Sequence, residues 1–280
     1  MGSASSSYQA EKKSHLCESG NLVTAFIFGN SRNKIVGFSG FASNHLNFDA
    51  LIPHLTESFE LILLDNPGMG ESINNKNELD FNLMCQDLHE ALASWGYDLY
   101  HLVGISMGGI VAQIYTLMFG SEVQTLALLC TLSGGARRVD LPHINEHDLV
   151  KLYSMPAELT ADSVVKKIVH PDFYIAHPEQ VNRICNIRIA YPPDPTQVIL
   201  QHRAVIKTLK DEIKLEDISC PTWVATGSND RFVDKINSDI LCQRIPNSHY
   251  MEFEKTDHLF FFEKPVEVSK KLTEFIQEHT

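Results

Sequence analysis

The chain has 280 residues, which suits one large α/β domain carrying an insertion better than a single small domain. Apolar residues make up 44% of the chain and charged residues 21%, close to globular averages, so fibrous and wholly disordered proteins are excluded. The formal charge of −12 disfavours nucleic acid and anionic lipid as partners, because such a surface repels phosphate groups.

Cysteine usage and targeting signals favour the cytoplasm. The six cysteines are scattered and lack C-x-x-C spacing, which is typical of reduced thiols. No apolar run approaches the length of a membrane span and the N-terminus lacks a secretory signal, so we predict a cytoplasmic protein with no membrane partner. The opening MGSASS matches the N-myristoylation pattern, but we interpret residues 1–19 as a disordered leader.

Short apolar or β-branched runs predict the strands of a mostly parallel sheet. Several runs are apolar on both faces, as in parallel sheets that helices cover on both sides. The first two runs are separated by the turn-rich GNSRN and are interpreted as an antiparallel hairpin. The runs cover residues 22–28, 34–38, 60–65, 100–105, 125–130, 222–226 and 250–254.

The segments between these strands predict helices. One helix starts after Asp80 as its N-cap and stops at Gly96, and another follows Ser106 and ends at Gly120. Residues 140–215 have helical and loop patterns without a buried strand. We therefore predict a helical cap at 140–215, inserted into a core formed by residues 20–139 and 216–280.

One serine lies where a strand, a tight turn and a helix are predicted to meet. Gly104 and Gly108 flank Ser106 in LVGISMGGIVA, and glycines allow the strand and the helix to approach each other closely. Ser106 would then project its hydroxyl from the tip of the turn, with the amides of the helix N-terminus beneath it. This Gly-x-Ser-x-Gly pattern in that context predicts an exposed nucleophile.

Together, LVGISMGGIVA at 102–112, DNPGMGES at 65–72 and DHLFFFEKP at 257–265 resemble the motifs of the α/β-hydrolase superfamily. The resemblance spans nearly the whole chain and implies a serine hydrolase of esterase type with a cap inserted after the sixth strand. It also implies a Ser-Asp-His triad, in the chain order nucleophile, acid, base. Asp230 follows WVATGSN where the family carries its acid, whereas Asp234 lies further from the strand end.

The resemblance identifies His258 as the base. It follows the last predicted strand and precedes the final helix, where the family's loop brings a histidine over the nucleophile. His101 lies within an earlier strand and His249 just before the last one, so neither reaches the same edge as readily. Asp257 is adjacent in sequence to His258, which makes it a poor orienting partner for that ring.

The resemblance further implies an oxyanion hole formed by two backbone amides. These belong to Met107, directly after the nucleophile, and Phe41, in a loop where Ser39 replaces the family's usual histidine. Ser39, Phe232 and Leu259 are candidates for the substrate pocket because they flank or belong to motif segments. Cap residues that could also face the pocket are Tyr153, Met155, Phe173, Tyr174 and Tyr191.

The predicted function is hydrolysis of a small, largely apolar carboxylic ester, lactone or thioester through an acyl-enzyme on Ser106, without cofactor or metal. The same residues would serve a carbon–carbon bond hydrolase, a perhydrolase or an acyltransferase. A small-molecule receptor with slow or absent turnover is an alternative of another class. Multiple turnover separates an enzyme from such a receptor.

Overall fold

An eight-stranded sheet forms the centre of the protein in the computed structural model, which describes residues 10–280. The strand order across the sheet is β1-β2-β4-β3-β5-β6-β7-β8. All pairs from β4 to β8 are parallel, so the predicted, mostly parallel sheet is confirmed. The strands are β1 Glu11–Leu16, β2 Leu22–Phe28, β3 Lys34–Phe38, β4 Glu60–Leu64, β5 Tyr100–Ile105, β6 Val123–Leu129, β7 Thr222–Gly227 and β8 Ser248–Phe253.

The predicted hairpin between the strands at 22–28 and 34–38 is wrong. β2 pairs antiparallel with β4, and β3 pairs in parallel with both β4 and β5. The loop at 29–33 therefore connects two strands that are not neighbours. β4 inserts between them because its residues Leu61–Leu64, which are all buried, then gain a strand partner on each edge.

The prediction of a disordered leader over residues 1–19 is wrong for its second half. β1 forms an antiparallel hairpin with β2, from Glu11 opposite Ile27 to Leu16 opposite Leu22. Its side chains are mostly polar and exposed, which suits an edge strand because the backbone ladder needs no apolar side chains on the solvent face. Residues 1–9, which include the MGSASS pattern, lie outside the described part of the chain.

Helices cover both faces of the sheet. The helix after Asp80 begins as predicted, because the Asp80 carboxylate accepts hydrogen bonds from the amides of Asn82 and Leu83. The helices outside the cap are α1 Ile52–Leu55, α2 Phe81–Ser94, α3 Met107–Phe119, α9 Ile236–Arg244, α10 Phe260–Glu263 and α11 Pro265–Glu278. Two large apolar clusters, one against each face, make up the core.

The helical cap lies between β6 and β7. Its helices are α4 Glu146–Ser154, α5 Ala157–Ile168, α6 Pro171–Ala176, α7 Pro178–Ala190 and α8 Pro195–Lys210. Within it α5 packs against α7 and α4 against α8. Across residues 10–280, no helix has both the length and the apolar character required to cross a bilayer.

Candidate active site

Ser106 occupies a sharp turn between β5 and α3. Its φ of 54° and ψ of −117° lie in a region that residues with a side chain rarely adopt. A side chain at Gly104 would come within 2.5 Å of the Gly108 carbonyl oxygen, and one at Gly108 would overlap the Phe38 carbonyl. Both flanking glycines are therefore required by the close approach of strand, turn and helix, as the Gly-x-Ser-x-Gly pattern predicts.

Three predicted side chains form one hydrogen-bonded chain. The His258 ring lies with Nε2 3.1 Å from the Ser106 Oγ and Nδ1 2.9 Å from the Asp230 Oδ2. Ser106 is 8% exposed and His258 6%, while the Asp230 side chain is fully buried. The order of contacts, hydroxyl to imidazole to carboxylate, is the one that lets a histidine remove a serine proton.

The Asp230 carboxylate is fixed and acts electrostatically on the histidine. Its other oxygen, Oδ1, accepts hydrogen bonds from the amides of Phe232 and Val233. Burial lowers the pKa of His258, but the charge and hydrogen bond of Asp230, with a smaller contribution from Asp257, outweigh it and raise the pKa above its ordinary value. The site therefore stabilises the imidazolium that forms when His258 takes a proton.

The rival residues lie elsewhere. Asp234 is exposed and caps the start of α9 through the Ile236 amide. His101 is buried within β5, where its ring meets Thr125 and burial lowers its pKa to about 4. His249 lies within β8 and not before it, and its ring meets those of Phe275 and His279 edge-on.

The loop after β3 passes directly beside the nucleophile. A methyl group added to Gly40 would lie 3.4 Å from the Ser106 Cβ. Within residues 10–280, neither the Phe41 amide nor the Met107 amide donates a hydrogen bond to another protein group. Two free N–H groups on the segments that flank Ser106 are what an oxyanion hole requires.

Ser39 does not belong to the pocket. It is fully buried, and its hydroxyl donates to the Asn44 carbonyl oxygen at 2.7 Å, while its own carbonyl accepts from Asn66. The serine closes the turn of the loop, so its hydroxyl is already used within the protein. The prediction that it could line the substrate pocket is therefore corrected.

A cavity of about 610 Å³ opens above Ser106, between the sheet and the cap. Phe232 and Leu259 line it, as predicted, together with Phe41, Ser106 and His258. The aliphatic side chains that the cap contributes are Ile144, Leu149, Leu152, Val164, Ile168, Ile184 and Ile187. Tyr153, Met155 and Tyr191 also line it, whereas Phe173 and Tyr174 do not.

Three cationic side chains of the cap also reach this cavity. Lys151, Lys167 and Arg188 line its wall, and none of them forms a salt bridge within residues 10–280. Arg188 is half-buried and makes one long contact, 3.4 Å, with the Tyr153 hydroxyl. Asp148 lines the same wall, so the cap side of the cavity combines an apolar lining with three cationic side chains and one carboxylate.

Sequence reasoning missed the groups that hold the loops carrying Asp230 and His258. The Asp257 carboxylate, which is fully buried, accepts hydrogen bonds from the Arg231 guanidinium and from the His258 amide. Arg231 also donates to the Val169 carbonyl oxygen at the end of α5. These contacts join residues that are far apart in sequence, so no local pattern predicts them. The one signal in the sequence is that Arg231 directly follows Asp230 and Asp257 directly precedes His258.

One group of potential metal-ligating side chains lies within the described residues. It comprises His15, Cys17 and Glu90. These residues lie on or next to β1 and α2, and neither element carries a residue of the candidate active site. The His15 ring already meets a Glu90 oxygen at 2.9 Å, and burial raises the pKa of the Cys17 thiol to about 12. This group has no contact with the candidate active site.

Comparison with known proteins agrees with this architecture. The family model for the alpha/beta hydrolase fold matches residues 35–265. A monoacylglycerol lipase of Bos taurus, ABHD6, is 23% identical over 262 residues, which cover 87% of this chain and 75% of the relative. A 2-hydroxy-6-oxononadienedioate/2-hydroxy-6-oxononatrienedioate hydrolase of Paraburkholderia phymatum is 26% identical over 86% of this chain and 83% of its own.

The same fold occurs in solved structures. A thermophilic esterase from Thermogutta terrifontis superposes with a TM-score of 0.79 at 21% identity, covering 97% of this chain and 100% of the esterase. At that level of identity the likeness establishes the fold and leaves the substrate to be argued from the site.

Proposed function

Because the chain belongs to the α/β-hydrolase fold family, we propose that it is a serine hydrolase that cleaves small, largely apolar carboxylic esters. The observation that carries this proposal is the chain of contacts from Ser106 through His258 to Asp230 at the base of the cavity. Ester hydrolysis is also the chemistry named for the lipase and esterase relatives. The cytoplasmic location remains a prediction from the sequence.

The proposed reaction proceeds in two steps. The Ser106 oxygen attacks the ester carbonyl while His258 Nε2 takes the hydroxyl proton, and the Phe41 and Met107 amides stabilise the oxyanion. Collapse of this intermediate breaks the bond to the alcohol, which leaves with the proton from His258. Water, deprotonated by His258, then attacks the acyl-enzyme and releases the carboxylic acid with regeneration of Ser106.

A second candidate rests on the positive charge in the cavity. Lys151, Lys167 and Arg188 would suit a substrate with a carboxylate remote from the cleaved bond. The relative from Paraburkholderia phymatum is named for dioate substrates, and the same catalytic residues could cleave a carbon–carbon bond next to a carbonyl group. The same acyl-enzyme chemistry would also cleave lactones and thioesters.

The proposal is tested by active-site labelling and turnover. The protein and its Ser106→Ala variant would be exposed to a small fluorophosphonate and analysed by mass spectrometry, and both would be assayed with p-nitrophenyl esters from acetate to octanoate. Labelling confined to Ser106, with multiple turnover lost in the variant, is expected. Failure of the folded protein to label or turn over any ester would favour the receptor hypothesis.

A further inference from the structure

Two of three consecutive amides in the loop after β3 have a hydrogen-bond partner, and the middle one does not. The Gly40 amide donates to Asn47 Oδ1 at 2.8 Å, and the Ala42 amide donates to Gln201 Oε1 at 2.8 Å. The Phe41 amide lies between them and has no partner within residues 10–280. The loop is thus held on both sides of the one amide proposed to bind the oxyanion.

The Ala42 contact supports an unusual backbone conformation. Ala42 has a φ of 52°, in the left-handed region, and is only 6% exposed. Its side chain packs in a small apolar cluster with Met69 and with Val198 of α8. A buried amide in this conformation requires an acceptor, and Gln201 is the residue that provides it.

Gln201 belongs to the cap, although the loop it holds belongs to the core. It lies on α8, is fully buried, and follows Ala42 in sequence by 159 residues. Its Nε2 group is buried without a hydrogen-bond partner in the described chain. Packing alone would favour an apolar side chain here, because an unpaired buried amide destabilises the fold. The presence of a glutamine at this buried position is therefore explained by its side-chain oxygen, which accepts a hydrogen bond from the Ala42 amide.

We infer that Gln201 is a positioning residue that aims the Phe41 amide at the oxyanion and couples the cap helix α8 to the catalytic core. The inference rests on the proposed esterase function. With the Gln201 oxygen in place, Ala42 keeps its left-handed conformation and the preceding amide points towards the site of Ser106. Without it, the Ala42 amide turns to find another acceptor, and the Phe41 amide moves with it.

The test compares substitutions on one helix. Gln201→Met keeps the length of the side chain and removes the oxygen, Gln201→Glu keeps an acceptor oxygen, and Gln197→Met is the matched control one turn earlier. Gln197 accepts from Asn74 and does not contact the loop. For each variant, kcat and KM with p-nitrophenyl butyrate would be measured, together with inhibition by an alkyl trifluoromethyl ketone, which forms a tetrahedral adduct with the serine.

We expect Gln201→Met to lower kcat about 10- to 100-fold with little change in KM, because a displaced oxyanion donor affects mainly the transition state. Inhibition by the ketone should weaken by the same factor. Gln201→Glu should recover most of the loss, and Gln197→Met should resemble the parent. If thermal melting shows that Gln201→Met does not fold, Gln201→Asn, which withdraws the oxygen by one carbon–carbon bond, replaces it.

Equal kcat and ketone inhibition in the parent and Gln201→Met would overturn the inference while leaving the proposed function intact. The same holds if kcat falls but ketone inhibition does not, since that would indicate general disturbance of the fold. Absence of ester turnover in the parent would instead overturn the proposed function, and the inference with it.

Discussion

The core and the cap contribute two different walls to the same cavity. On the core side, backbone geometry fixes the chemistry, because Ser106 adopts a rare conformation and Gly104 and Gly108 leave no space for side chains. On the cap side, the wall consists of side chains, several of them half-exposed, and its cations lack acidic partners within residues 10–280. The difference suggests that the core determines the reaction and the cap determines which substrate reaches it.

The two walls are joined by a few hydrogen bonds. Gln201 holds the loop next to Ser106, and Arg231 contacts the Val169 carbonyl at the end of α5. The Leu259 amide, directly after His258, donates to the Ile168 carbonyl at 3.0 Å. Each contact connects a loop next to Ser106, Asp230 or His258 with a helix of the cap or its end. Substitutions at these positions can therefore test whether the core sets the reaction and the cap sets the choice of substrate.

The largest effect is expected at the acid on the core side. Asp230→Asn should lower kcat about 10⁴-fold, because an amide favours the wrong tautomer of His258 and removes the charge that stabilises its protonated form. Asp234→Asn, in the exposed cap of α9, should have little effect and serves as the control. Steady-state kinetics with p-nitrophenyl butyrate provide the measurement.

The same variant changes the pH profile in a defined direction. His258 acts as a base in its neutral form, so kcat/KM of the parent should fall as pH decreases through the raised pKa of His258, above about pH 6.5. Removing the Asp230 charge lowers that pKa, so the acid limb of the residual activity should move to lower pH. An unshifted limb would show that Asp230 does not act on the base.

The next largest effect concerns stability where the core meets the cap. Burial raises the pKa of Glu263 to about 7, and its Oε1 accepts hydrogen bonds from the Asp257 and His170 amides. Because the folded state binds this proton more tightly than the unfolded chain, stability should decrease between pH 5 and 8. Between pH 5 and 8 the decrease is about 2.5 kcal/mol, from 1.36 kcal/mol per unit of pKa and a shift from 4.5 to about 7.

Glu263→Gln removes this titration while keeping an acceptor oxygen. The free energy of unfolding in urea would be measured at pH 5 and pH 8 for the parent, Glu263→Gln and the exposed control Glu267→Gln. The decrease attributed to Glu263 should be absent only in Glu263→Gln. The same decrease in that variant would mean that other groups cause it.

Arg231→Met is expected to destabilise the protein by about 2 kcal/mol, because it leaves the buried Asp257 carboxylate with backbone donors alone. The loss is smaller than for a fully buried ion pair, since the Arg231 side chain is 47% exposed. Arg203→Met, which breaks an exposed pair with Glu146, should destabilise the protein less than Arg231→Met, because solvent screens an exposed ion pair. Equal losses of unfolding free energy in urea for Arg231→Met and Arg203→Met would contradict the stabilisation of the buried Asp257 carboxylate by Arg231.

The sequence predicts the core side of the cavity better than the hydrogen bonds that connect the core with the cap. The strand–turn–helix around Ser106 follows from local patterns, since glycine spacing and apolar periodicity are properties of neighbouring residues. Gln201 and Ala42 are 159 residues apart, and no local pattern indicates that a cap glutamine accepts from a core amide. The catalytic roles of Ser106, Asp230 and His258 remain predictions until activity is measured.

Two sequence-based predictions about the fold are wrong for similar reasons. β1 was missed because an edge strand is stabilised by backbone pairing and can carry charged side chains such as those of Glu11 and Lys12. The hairpin of β2 and β3 was expected from a short turn-rich loop, but strand order depends on tertiary pairing with β4. Local composition indicates that a strand exists and says less about its neighbours.

The smallest effect is expected on the cap wall. Tyr191 lines the cavity, and 48% of its surface remains exposed, so its contribution to substrate binding is partial. Tyr191→Ala should lower the ratio of kcat/KM for p-nitrophenyl octanoate to that for the acetate about threefold, because only a long acyl chain reaches the cap. Tyr174→Ala, in the cap but outside the cavity, should leave the ratio unchanged. An equal loss for both esters in Tyr191→Ala would contradict the division, because the cap would then affect the reaction itself and not the choice of substrate.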